Sequence, residues 1–264
     1  MLPIRTDAPV RRRPIHRTIF GAAALVAAAL TLAIGSPAHA DATADLDKFN
    51  AAFAKRDWPD VASASARLGK KLARPKDEAE RKAILAALTK ALRIYDEGGF
   101  VALRAAESLG AGGEDGAAAI AKTLRDKRLE RKPEYTELRR GLVEALGRTG
   151  SVKHVKTLLG YLSHKDARTG RAAAVGLSAF DDAPEKTRKE IAGALVKELK
   201  KARAAQAGNR RATSSNNGGE RRWDAIGESL LRALESVTGA DRMAPDDWPT
   251  WLQENKSRKW DDGA

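Results

Sequence analysis

Residues 133–150 read PEYTELRRGLVEALGRTG, 151–162 read SVKHVKTLLGYL and 165–180 read KDARTGRAAAVGLSAF. Sliding Leu146 onto Leu177 lays Arg140 on Arg171, Val143 on Ala174 and Ala145 on Gly176, so one helix recurs after 31 residues. A period of that length is one helix pair, and a single pair cannot bury its apolar stripe alone. Neighbouring pairs must therefore stack on it, which predicts an all-α solenoid that grows by addition along the chain.

The same reading extends toward both ends. Leu46, Phe49, Ala52 and Phe53 share one helical face behind Asp45, a capping residue, and Asp57-Trp58-Pro59 restarts a helix carrying Val61, Ala64, Leu68 and Leu72. Pro75 opens a helix whose acidic first turn, Asp77, Glu78 and Glu80, suits the positive end of the helix dipole. That helix runs through Ile84, Leu88, Leu92 and Tyr95 to Gly98-Gly99, and 100–109 returns. The spacing predicts a third pair over 117–129 and 135–146, a fourth over 152–162 and 168–180, and a fifth over 184–205 and 223–237. About five antiparallel pairs result, and no stretch alternates with the period of a strand. Within the fifth pair, GNRRATSSNNGGE at 208–220 has no large apolar residue and is expected to be a mobile loop.

The first forty residues stand apart. Arg11, Arg12, Arg13 and Arg17 precede an uncharged run of 16 residues, Ile19 to Ile34, and Ser36-Pro37-Ala38-His39-Ala40 ends in a small-x-small site. That layout is a secretory signal peptide over 1–40, with 41–264 as the exported chain. The run is shorter than the ~20 residues a spanning helix needs, so no transmembrane span is expected in the mature chain. Cleavage leaves 43 basic and 34 acidic side chains, a net charge of +9. Such an excess favours polyanions and anionic surfaces without selecting one. The chain has no cysteine, so an oxidising compartment adds no disulfide and stability rests on packing.

With these residues in view, the pattern resembles the HEAT repeat and the HEAT-like repeats of phycobiliprotein lyases. Val152, Val155, Leu158, Leu159 and Leu162 match the outer helix, Asp166 the turn, and Arg171, Ala174 and Leu177 the inner helix, with Gly170 where Val is usual. The match is looser at 76–110 and 115–147, and at the two ends it rests on helix pattern alone. The tail, LLRALESVTG at 230–239 followed by Asp246-Asp247-Trp248-Pro249-Thr250-Trp251, looks like the closing element of exported bacterial HEAT-like proteins. It implies a Trp-containing capping helix within 240–264 that hides the last apolar face. The resemblance also implies that Arg140 and Arg171 bridge to turn acids such as Asp166. It implies no activity, because the scaffold serves many.

Chemistry-bearing patterns are sparse. His154 and His164 lack a metal-ligand constellation and read as solvated; no nucleophile, base and orienting group stand together; Gly110-Ala111-Gly112-Gly113 lacks the flanks of a phosphate loop. No cofactor is expected, and the function reads as non-catalytic protein binding or scaffolding in the periplasm or outside the cell, for a partner the sequence leaves unidentified. The candidate surface is cationic. Arg104, Arg139, Arg140 and Arg232 lie on the inner helices, while Lys186, Lys189, Lys197 and Lys200 fall within about an 80° wedge opposite Ile191, Leu195 and Leu199. A second basic concentration runs through Lys122, Arg125, Lys127, Arg128, Arg131 and Lys132. The alternative is therefore attachment to an anionic envelope component; export sets nucleic acid aside, and an enzyme or accessory subunit comes last.

Overall fold

Left-handed turns and aspartate caps punctuate the chain into helices. A computed structural model describes residues 42–95, 99–211 and 218–260, with side chains at all of these except 208–211 and 218–221. The expected leader at 1–40 lies outside the described residues, as do 212–217 and 261–264. The described residues all fall within one unit, His39–Ala264.

Helix α1 (Thr43–Lys55) ends at Arg56, whose φ of 56° turns the chain into Asp57. The Asp57 carboxylate accepts the Asp60 N–H at 3.2 Å and starts α2 (Trp58–Leu72), with Pro59 in the first turn. Asp45 does not cap α1 as expected. It sits in the first turn and pairs with Arg67 at 2.9 Å and Lys71 at 3.1 Å, which ties α1 to α2. Asp77 accepts from Glu80 N at 2.8 Å and opens α3 (Glu78–Ala91); Gly99, at φ 84°, leads into α4 (Phe100–Leu109).

The single helix expected over 117–129 is two. α5 (Gly113–Leu124) stops, and Asp126 accepts the Arg128 N–H at 2.9 Å to start α6 (Lys127–Arg131). Asp competes for local backbone donors more readily than it sits inside a helix, which explains the break. Then come α7 (Thr136–Arg148), α8 (Val155–Leu162), α9 (Ala167–Leu177), α10 (Glu185–Arg211), α11 (Gly218–Thr238) and α12 (Trp248–Asn255). Helical backbone thus enters the expected loop at 208–220 from both sides. Among the described residues there is no strand, and no helix is long and apolar enough to cross a membrane.

The helices associate in two sets. α2, α4, α7, α9 and α11 each pack on the next; α1, α3, α5, α8 and α10 each pack on the partner from that first set, α1 on α2 through α10 on α11. Small residues let the first set approach closely. Ser108 of α4 donates to the Ser65 carbonyl of α2 at 2.9 Å, beside Gly69, and Ser236 of α11 donates to the Ser178 carbonyl at 2.6 Å. Between α7 and α9 the contact is glycine to glycine, Gly147 to Gly176. The stripes read from sequence are the core: Phe49, Leu68, Ile84, Leu88, Leu109, Leu142, Leu146, Leu177, Leu195 and Leu230 are buried.

One charged pair reaches into the core, its carboxylate buried and its guanidinium partly exposed. Glu198 of α10 meets Arg222 of α11, Nε to Oε1 at 3.0 Å; the same guanidinium donates to the carbonyls of Leu162 and His164 at 3.0 and 2.9 Å, and Ser163 donates to Glu198 at 2.6 Å. The turn between α8 and α9 is thereby fastened to the last two long helices. Beyond α11, Trp248 is wholly buried and α12 packs on α10. Trp251 stacks edge-on to Trp248 and against Trp260, both at 5.7 Å.

Candidate functional site

Three members of the first helix set share a groove of about 490 Å³. Leu103 and Glu107 come from α4; Glu137, Arg140, Gly141 and Glu144 from α7; Arg168, Arg171, Ala172 and Val175 from α9. Steps of three and four residues keep each helix's contribution on one face. Gly141 shapes the floor, because the Leu103 side chain occupies the space where a Cβ would stand, 2.0 Å from its Cδ1.

The charges in the groove divide into committed and uncommitted. Glu107 is paired at 2.8 Å with Arg104, which is not part of the lining and lies 5.4 Å from the exposed Phe100 ring. Arg140 grips Asp166 in a fork, Nε to Oδ2 at 3.0 Å and Nη2 to Oδ1 at 3.2 Å, and also pairs with Glu137. Asp166 caps α9 through the Thr169 N–H and accepts the Thr169 hydroxyl as well. Burial alone raises the Asp166 pKa, but the hydrogen bonds from Arg140 and Thr169 outweigh it and hold the carboxyl well below its ordinary range. The hydrogen bond to Asp166 raises the Arg140 pKa in turn. This is the bridge that the repeat resemblance implied. Its equivalent is not made: Arg171 has no ion partner among the described residues. Arg168 and Glu144 are likewise exposed and unpaired there, and Val175 beside them is 42% exposed.

The other expected site residues scatter. Arg139 is buried, not a surface residue: its Nη1 donates to the Leu129 carbonyl at 2.6 Å and lies 3.8 Å from Glu130, which pins α6 to α7. It stands one step round the helix from Arg140, and that step turns it from the groove to the α6 side. Arg232 is exposed on α11 and paired with Glu228 at 2.5 Å. The lysines belong to α10, in the second set. Ile191, Leu195 and Leu199 are buried as read, and Lys186, Lys197 and Lys200 are exposed without an ion partner among the described residues. Lys189 is not part of a free stripe. It pairs with Glu185 at 2.5 Å, donates to the Arg258 carbonyl at 2.6 Å and lies 5.5 Å from the Trp260 ring, because the terminal segment folds back over it.

His164 is not solvated either; its side chain is 10% exposed. Nδ1 accepts the Asp166 N–H at 3.0 Å, so the ring proton lies on Nε2, which donates to Glu130 at 3.2 Å. The imidazole links the turn before α9 to α6. Arg168, Glu144 and Val175 were not read as site residues, although their spacing from Arg171 and Arg140 places them on the same faces. Comparison with protein-family models, curated proteins and solved structures finds no match to the chain.

Proposed function

We propose that the chain is a HEAT-like α-solenoid of about five helix pairs, closed by a Trp-containing cap, that acts outside the cytoplasm as a non-catalytic protein-binding module. The groove across α4, α7 and α9 holds a short segment of its protein partner. The succession of helix contacts, α2 to α4 to α7 to α9 to α11 with one partner behind each, supports the architecture. The buried Trp248 supports the cap. Export rests on the N-terminal sequence pattern.

One observation carries the binding reading: Arg168 and Arg171 stand uncommitted, one helical turn apart, beside the exposed Val175 in a groove of ligand size. Two guanidinium forks beside an apolar edge suit a segment that alternates a carboxylate with a small aliphatic side chain. Binding to an array of peptides that pair Asp or Glu with Val or Leu tests it. Arg168→Gln with Arg171→Gln is expected to abolish capture of the acidic members; equal capture by wild type and variant rejects the groove as the site. N-terminal sequencing of the mature protein tests export, with a start near Asp41 expected and an intact Met1 in a cytosolic fraction against it.

The free Lys186, Lys197 and Lys200 favour a second reading, attachment of α10 to an anionic envelope component. Changing these three to Gln is then expected to remove binding to anionic vesicles at ~0.1 M salt, where distant charges are already screened.

A further inference from the structure

In the second helix set, a separate groove of about 450 Å³ lies where α3 ends, α5 ends and α6 begins. Arg93 enters it from the end of α3, and Lys122 and Arg125 from α5 and the turn after it. All three are exposed, and none has an ion partner among the described residues.

The lining includes one carboxylate, and it is fully engaged. Asp126 takes Arg128 Nη2 at 2.6 Å, Arg128 Nε at 3.0 Å and the Arg128 N–H at 2.9 Å. The Arg128 hydrogen bond holds the Asp126 carboxyl below its ordinary range. Burial, with the nearby Asp126 charge, pushes the Tyr95 hydroxyl up to about 12, so it remains a donor. Arg128 is further fixed 4.5 Å from the Tyr95 ring. Arg128 and Asp126 therefore cancel, and Arg93, Lys122 and Arg125 are left over. The carbonyl ends of α3 and α5 attract cations, but each carries roughly half an elementary negative charge. Three full positive charges exceed two such ends by about two units. The neighbouring Asp96 and Glu97 lie outside the described residues, so this sum is that of the described lining.

We propose that this groove binds a soluble anion carrying two or more phosphate groups, an oligophosphate, held by Arg93, Lys122 and Arg125. A single phosphate neutralises the excess from one side only, whereas linked phosphates reach the cations of both walls, and guanidinium forks suit phosphate oxygens.

The test is calorimetric titration of the protein with sodium tripolyphosphate at low salt. Wild type is expected to bind, and Lys122→Gln with Arg125→Gln to weaken binding by about tenfold or more, with the helical circular dichroism unchanged. Arg93→Gln alone is expected to weaken it measurably. Arg242→Gln with Lys256→Gln, which removes the same charge from exposed positions on either side of α12, is expected to leave it unchanged. Equal binding by the Lys122/Arg125 variant and wild type, or an equal loss in the Arg242/Lys256 variant, overturns the site. No binding of tripolyphosphate overturns it too, including the case in which phosphatidylglycerol vesicles bind instead. The Arg168/Arg171 variant is expected to keep tripolyphosphate binding, which separates this site from the peptide groove.

Discussion

The Gly147–Gly176 contact allows the packing of α7 on α9 to be tested with one methyl group. A Cβ on Gly147 would lie 2.1 Å from Gly176 Cα, 2.8 Å from its carbonyl carbon and 2.9 Å from its oxygen, all backbone atoms inside a helix. A Cβ on Gly176 would lie 3.0 Å from Gly147 Cα and 3.5 Å from Leu158 Cδ2. An ordinary contact begins near 3.4 Å, so Gly147→Ala requires the two helices to part by about 1.3 Å, whereas Gly176→Ala requires a few tenths. Opening α7 from α9 disturbs the interface around Leu142, Leu146 and Leu177, all buried. Overpacking of this kind costs typically ~1–3 kcal/mol. Both glycines stand next to last in their helices, so only a few tenths of the ~1 kcal/mol that alanine gains over glycine in a helix interior is returned. Gly147→Ala is therefore expected to lose about 1–2 kcal/mol, and Gly176→Ala to be close to neutral. At ~2–4 °C per kcal/mol for a chain of this size, the first lowers the midpoint by about 2–8 °C. Urea unfolding followed by circular dichroism, with an unchanged m-value, reads the difference. If Gly147→Ala is as stable as wild type, or more stable than Gly176→Ala, the two helices do not meet where they are placed.

Three further outcomes are expected. Arg222→Leu leaves the buried Glu198 with only the Ser163 hydroxyl and, at 3.9 Å, the Lys201 ammonium, and is expected to cost up to ~3 kcal/mol in chemical denaturation, while the double change with Glu198→Leu recovers most of it. Asp166→Asn keeps a capable helix cap and loses the charged fork to Arg140, so stability at neutral pH falls by about 1–2 kcal/mol. The folded pKa of Asp166 lies below the ordinary 3.8, so its contribution is complete above about pH 4 and is lost as pH falls further; unfolding from pH 6 to 3 should accordingly show a shallower acid loss in Asp166→Asn than in wild type. Trp248→Ala removes a fully buried indole at ~3–5 kcal/mol, and amide exchange is expected to rise in α12 and along α10 while α7 keeps its protection.

Much of the helix order was written in the sequence, because spacing of apolar residues fixes which face is buried and Asp57, Asp77 and Asp166 mark where helices start. The Arg140–Asp166 fork was legible for the same reason: it sits at fixed positions of a repeated unit. What escaped were contacts between residues far apart in the chain. Nothing near Lys189 indicates that Arg258 and Trp260 return to it, and nothing near His164 indicates that Glu130 waits 34 positions earlier. Arg139 and Arg140 are adjacent and chemically identical, yet only the placement of the short helix α6 decides which is buried. The groove followed from neither motif nor charge run. Its signal was an absence of partners, which a sequence does not display.

The placement of the indoles also sets what light can report. Of five tryptophans, Trp58 lies near the first helices, edge-on to Phe53, while Trp223, Trp248, Trp251 and Trp260 gather at the other end. Intrinsic fluorescence therefore weights the C-terminal helices, whereas the far-ultraviolet signal averages over all of them. With Trp58→Phe, emission becomes a local gauge of α10 to α12. Any gap between its denaturation midpoint and the circular dichroism midpoint then measures how far the last helices melt independently of the first.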